Sequence, residues 1–272
     1  MPISRWISRC VIMTGVLFYG VHALSAFGAT DAKAVMEGVY RQDTSHDVTL
    51  LAAFDVYDAA GQKKTKKFTL MRLGSPGNSK TLVRFTDPSE IRGVALLSLN
   101  HSGEGDRQWI YTPATKRVRS VATRERSEHF IGTDFTFEDV AERLVDDFTY
   151  RLLNEDESID GHHTFKIEAT PVDASRSQYK YIYYWVAQDV PVILFAEMYD
   201  QQGKKIRTLH ARQLKKVSGI WGARHLEMSA ADGQSHTVLT INDAAFNKGL
   251  TDALFTPEAL EKPATVNPFS QE

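Results

Sequence analysis

The sequence carries a single cysteine, Cys10, and it lies inside an N-terminal apolar run. One thiol makes no internal disulfide, so stability has to come from a hydrophobic core. Charge of one sign is missing too. Lys and Arg number 32 against 34 Asp and Glu, a formal charge of −2, with no basic excess to attract a phosphate backbone. Nucleic-acid binding is set aside on that ground. With 17 Gly and 9 Pro in 272 residues, collagen-like and low-complexity classes fall away as well. H-E-x-x-H, G-x-S-x-G, the P-loop and the dinucleotide fingerprint are absent from the sequence. No cofactor is expected, and nothing positive points to an enzyme.

The N-terminus reads as an export signal. Arg5 and Arg9 precede an apolar run from Cys10 to about Ala26, and Ala26 and Gly28 put small side chains before a cleavage point after Gly28. Ala26 and Ala29 are alternative cleavage points, and an uncleaved anchor is the alternative to cleavage. Beyond this run no stretch reaches the ~20 apolar residues of a spanning helix. The residues before Cys10 form no lipobox, so the chain is not expected to be a lipoprotein itself. The expected organisation is a signal at 1–28, one domain at 29–262 and a loose tail at 263–272, in a periplasm-like compartment.

Past the signal, Asp31 is placed to cap a helix reaching about Tyr40, with Val35, Met36, Val39 and Tyr40 on one face. From Val48 the apolar period changes to two. Alternation predicts strands over 48–56, 67–73, 81–86, 93–99, 108–111, 117–121, 148–153, 163–169, 179–186, 191–199, 206–214, 221–228 and 236–242. Asp58 to Gly61 and Asp200 to Gly203 have the residues of hairpin loops with Gly in the left-handed position. No alternation of strands with helices is visible, which argues for an antiparallel sheet, curved or closed. Thr136 starts a predicted short helix reaching Val145, and Thr256-Pro257 starts another.

Candidate chemistry is sparse. His162 and His163 are adjacent, a poor joint clamp for a metal on extended chain. His210, His225 and His236 are placed to approach one another across neighbouring strands as a transition-metal site, and an uncharted hydrolase using His210 or His225 is a further alternative. The simpler expectation is no metal. More informative are strands that are apolar on both faces: Tyr179, Tyr181, Tyr183 and Trp185 alternate with Ile182, Tyr184 and Val186. Both faces of such strands must be covered, or one must line a cavity. A packed core without a cavity is the plainer alternative.

Several blocks carry a resemblance. Gly105-Asp106 to Trp109-Ile-Tyr111-Thr-Pro113, then Arg117-Val-Arg119 and Arg124, resemble the LolA-like outer-membrane lipoprotein-sorting protein family. The block from Phe130 to Asp139, with Gly132, Asp134, Phe135, Phe137 and Glu138, is similar to that family's G-[ST]-D-[FM]-[ST]-[YF]-E-D element. Trp185, Glu197 to Lys204, Trp221 and Phe246 to Thr256 fit the same pattern.

The resemblance implies a mainly β fold: an incomplete, strongly curved antiparallel barrel of about eleven strands, with helices across its concave face. It implies a periplasmic carrier or chaperone, not an enzyme, whose hollow shields the acyl chains of a lipoprotein or lipid, with an inner-membrane RND-type transporter as a possible partner. The alternative is a sensor of the same fold that recognises a partner protein. On this basis Val35, Met36, Val39 and Tyr40 are expected to face a cavity wall that includes Trp109, Tyr111, Leu194 and Met198. Gly132 is expected to permit a tight turn. Asp134, Glu138 and Asp139 are expected to meet Arg117, Arg119 and Arg124 in a network that positions the short helix.

Overall fold

Asp31 accepts a hydrogen bond from the backbone N–H of Lys33 at 2.9 Å and starts α1 (Ala32–Arg41) where the sequence places a cap. The protein is described here by a computed structural model covering residues 30–101, 107–262 and 269. The expected signal, the tail apart from residue 269, and Gly105 and Asp106 lie outside the described residues.

Thirteen strands follow α1: β1 (Asp47–Tyr57), β2 (Lys63–Ser75), β3 (Asn78–Asp87), β4 (Ala95–His101), β5 (Arg107–Thr112), β6 (Arg117–Ser120), β7 (Phe148–Ile159), β8 (His162–Pro171), β9 (Tyr179–Ala187), β10 (Ile193–Asp200), β11 (Lys205–Val217), β12 (Ile220–Ala230) and β13 (His236–Phe246). They form one antiparallel sheet in the order β6-β5-β4-β3-β2-β1-β13-β12-β11-β10-β9-β8-β7, with β6 and β7 as free edges. The sheet is therefore an open barrel, with thirteen strands in place of about eleven. Two meanders, β1 to β6 and β7 to β13, join where β1 pairs with β13. Register shifts at Leu51/Ala52, Lys67/Phe68 and Met198/Tyr199 supply local bends.

Both expected hairpins form. The Asp58 carboxylate accepts from the N–H groups of Ala60 and Gln62, and Gly61 takes φ +75°. Asp200 does the same for Gln202 and Lys204, with Gly203 at φ +78°.

The helix expected from Thr136 is not there. The Asp139 carboxylate accepts from both the backbone N–H (2.9 Å) and the hydroxyl (2.8 Å) of Thr136. That closes a single turn, and the same carboxylate is then engaged by groups from the sheet, so the turn does not propagate. Residues 121–147 instead run as turns across the inner face of the sheet, from one free edge to the other. The second expected helix forms as a short 3₁₀ segment, Pro257–Glu261, with the Thr256 side chain accepting from Ala259 N–H.

Alternation sorts the core onto two faces. Phe54, Phe68, Phe85, Leu96, Ile110, Ile182, Tyr184 and Met198 point to the inner face, beneath α1 and the crossing segment. Met71, Leu82, Leu97, Trp109 and Tyr111 point outward and are covered by Leu250, Phe255 and Leu260 of the C-terminal segment. No helix among the described residues is long and apolar enough to cross a membrane.

Candidate functional site

The inner face is filled at its centre by the chain itself. Met36 of α1 is fully buried there, and Val35, Val39 and Tyr40 pack around it. The crossing segment adds Phe130, Phe135 and Phe137: the rings of Phe130 and Phe135 meet Phe54 and Phe85 of the sheet at 5.4–6.4 Å between centroids, and Phe137 packs edge-on against Phe130 at 5.4 Å. Gly132 turns the segment at φ +63°, and Lys66 Nζ donates to the carbonyls of Ile131 and Gly132 just beside it.

Of the expected wall, Met198 lies in this inner core. Trp109 and Tyr111 do not. Ile110 takes the inner side of β5, so its two neighbours face outward against the C-terminal segment. Leu194 sits farther along the inner face in a third apolar group, with Ala187, Val190 and Val192, against Leu214 and Trp221.

The acidic motif residues are buried but have other partners than expected. Asp134 accepts from the hydroxyls of Ser235 and Thr237. Glu138 accepts from the Ser177 hydroxyl (2.6 Å) and the Gln178 N–H (2.9 Å). Asp139 pairs with Arg143 at 2.7 Å, accepts from the Tyr179 hydroxyl at 2.6 Å, and lies 3.7 Å from Arg207. Arg119 turns to Glu125 (2.9 Å), while Arg117 and Arg124 stay exposed at the β6 edge. The arginines that meet the buried acids come from the crossing segment and β11. The i to i+4 spacing of Asp139 and Arg143 was the only local signal for them. Burial disfavours the Asp139 charge, but Arg143 and Arg207 outweigh it and hold its pKa below the ordinary carboxylate value. Burial pushes the Tyr179 and Tyr184 hydroxyls up. This network fastens the crossing segment to the sheet.

The histidines stand apart. His210 bonds Asp160 at 2.7 Å, His236 stacks on Tyr57 at 4.5 Å between centroids, and His162 and His163 pair with Asp189 and Asp156. Among the described residues no three His, Cys, Asp or Glu side chains are grouped to hold a metal ion.

Open space remains at one end of the inner face. A hollow of about 500 Å³ is bordered by Val190, Leu194, Ala211, Leu214 and Trp221, with His162, Asp189 and Arg212 at its rim. A second space of about 190 Å³, which shares Trp221 with the first, is bordered by Leu50, Val217, Ile220, Ile241 and Phe246. Gln42, which ends α1, reaches this place: its Oε1 accepts from Trp221 N–H at 3.0 Å and its Nε2 donates to the Pro191 carbonyl at 2.7 Å. Apolar walls with a few polar groups at the mouth suit an alkyl chain with a polar end.

A family model described as an uncharacterised protein matches residues 77–262. No curated protein matches. Among solved structures, an outer membrane lipoprotein-sorting protein domain from Vibrio parahaemolyticus has a TM-score of 0.80 at 26% identity, over 85% of this chain and 98% of that one. A DUF1329 family protein from Desulfovibrio piger has a TM-score of 0.78 at 27% identity, over 85% and 100%. A LolA superfamily protein from Nitrosomonas europaea has a TM-score of 0.68 at 21% identity, over 84% and 98%.

Proposed function

The chain belongs to the family of uncharacterised proteins whose model matches residues 77–262, and because its structural neighbours include an outer membrane lipoprotein-sorting protein domain and a LolA superfamily protein, we propose that it is a periplasmic carrier that shelters acyl chains. The observation that carries this reading is the hollow of about 500 Å³ walled by Val190, Leu194, Ala211, Leu214 and Trp221. Residues 1–28 act as a cleaved export signal, 29–262 form the carrier and 263–272 a tail. The cargo is a lipoprotein or a lipid, carried alongside an RND-type transporter of the inner membrane. Binding works through shape and apolar area, without covalent chemistry.

The expected cavity thus moves along the sheet. Leu194 borders it, Met198 and the α1 side chains lie in the neighbouring packed core, and Trp109 and Tyr111 are on the outer face. Each buried CH₂ contributes about 0.8 kcal/mol, so even half of a 16-carbon chain gives roughly 6 kcal/mol before ordering costs. That range favours capture followed by release.

Leu194→Trp tests the site. Leu194 is 2% exposed and borders the hollow, so a larger side chain fills space that an alkyl chain would take. The expected result is weaker uptake of a fluorescent fatty-acid probe with the fold kept. A packed wall would answer instead with overpacking, a loss of about 1–3 kcal/mol, and unchanged uptake. That second outcome would remove the carrier reading in this form.

A further inference from the structure

Strands β12 and β13 pair only from His225↔Thr240 to Ser229↔His236. Beyond that point they part, although each keeps its other neighbour: β12 stays on β11 down to Ile220, and β13 stays on β1 down to Phe246. A wedge therefore opens in the middle of the sheet, where backbone groups would ordinarily be paired. Three side chains stand in for the missing strand contacts. Gln42 Oε1 accepts from Trp221 N–H, Arg224 Nε donates to the Ile241 carbonyl at 3.4 Å, and Asp243 accepts from Ala244 N–H at 2.8 Å.

The wedge is apolar inside and basic at its rim. Half-buried Leu50, Val217, Ile220, Trp221, Ile241 and Phe246 enclose the space of about 190 Å³. A Cβ added at Gly222, which borders it, would meet nothing within 4 Å, so the space reaches the backbone of β12. Lys215 and Arg224 border the same space, and Lys216 lies 5.8 Å from the Trp221 ring. All three are exposed, and among the described residues none of them forms an ion pair. The chain as a whole is slightly acidic, so three unpaired cations around one apolar opening are a local property. Asp243, the acid at this opening, accepts its neighbour's N–H and keeps its charge, so Lys215 and Arg224 leave the rim with a net positive charge against this one acid.

We propose that the wedge between β12 and β13 binds an anionic amphiphile, with its carboxylate or phosphate at Lys215 and Arg224 and its alkyl chain along Ile220, Trp221 and Phe246. The inference rests on the acyl-carrier reading and narrows its cargo to lipids with a negative head group. Trp221 borders both the wedge and the larger hollow, so a chain anchored at the rim has apolar wall continuing past this residue. Exposed cations add modestly to affinity, and their contribution falls as salt rises.

The test compares matched ligands on the exported protein: oleate against oleyl alcohol, and lysophosphatidylglycerol against lysophosphatidylcholine. At low salt the anionic member of a pair is expected to bind about tenfold more tightly, as two such charge contacts would give. In Lys215→Gln/Arg224→Gln the two Kd values of the pair converge, while the protein stays folded with a small drop in melting temperature from the lost Arg224–Ile241 hydrogen bond; Lys215→Gln alone narrows the gap with the melting temperature unchanged. A preference confined to the first pair assigns the head group to a fatty acid, and one confined to the second assigns it to an acidic phospholipid. Equal binding by the unaltered protein, or a preference that survives in the double variant, overturns the inference while leaving the carrier reading in place. Displacement of oleate by an unlipidated extended peptide would also overturn it, assigning the wedge to strand addition. Failure of all four ligands to bind would remove both.

Discussion

Gln42 and Trp221 are 179 positions apart, yet the side-chain amide of one completes the backbone of the other: Gln42 Oε1 accepts from Trp221 N–H at 3.0 Å. Its other half donates to the Pro191 carbonyl at 2.7 Å. One amide thus ties the end of α1 to β12 and to the β9–β10 turn, where the wedge and the hollow share Trp221. Gln42→Leu removes both bonds and leaves two half-buried backbone groups unpaired. The expected loss is about 1–3 kcal/mol in chemical denaturation, with faster hydrogen exchange at the Trp221 amide.

Asp134 is 3% exposed and is held by the hydroxyls of Ser235 and Thr237. Asp134→Ala leaves those hydroxyls without their acceptor, and the expected cost is about 1–3 kcal/mol. Probe uptake should stay as it is, since the residue lies away from the hollow. Collapse of uptake at unchanged stability would instead make this motif part of the binding surface.

Asp139 gives the molecule an acid limit. Its folded pKa is held below the ordinary value by Arg143 and Arg207 against the opposing effect of burial. A depressed carboxylate contributes stability that is present above its unfolded pKa, near 4, and is lost as pH falls through the folded one. Unfolding free energy should therefore drop below about pH 4. Asp139→Asn leaves two arginines buried without their counter-charge, at a cost of about 3–5 kcal/mol near neutrality, and flattens that part of the acid profile.

Leu260 is fully buried on the outer face, against the group that contains Trp109 and Tyr111. Leu260→Ala should destabilise by about 2–5 kcal/mol and leave the affinity for a fatty-acid probe unchanged in the folded fraction. A matching loss of affinity would put the outer face back into the binding site.

The thirteen strands were legible because alternation needs only near neighbours: Val48, Leu50, Ala52, Phe54 and Val56 announce β1 without help from the rest of the chain. Which face of β5 turns inward was not legible. Trp109, Ile110 and Tyr111 are all apolar, and the choice is made by Phe255 and Leu260, more than a hundred residues later, which cover the outer side. The crossing segment was misread for a related reason. Its turn at Thr136 begins as a helix would, but distant groups on Tyr179 and Arg207 engage Asp139 and settle its course. The hollow was half legible. Leu194 was placed on its wall by alternation and family resemblance, whereas Gln42 and Leu214 carry no local mark of their position.

Native mass spectrometry of the protein recovered from its own cells tests the central claim most directly. The account predicts a folded chain carrying an acyl-bearing adduct, which Leu194→Trp sheds while keeping its fold. An unaltered protein that is uniformly empty, and that stays empty after exposure to lipid, would contradict it.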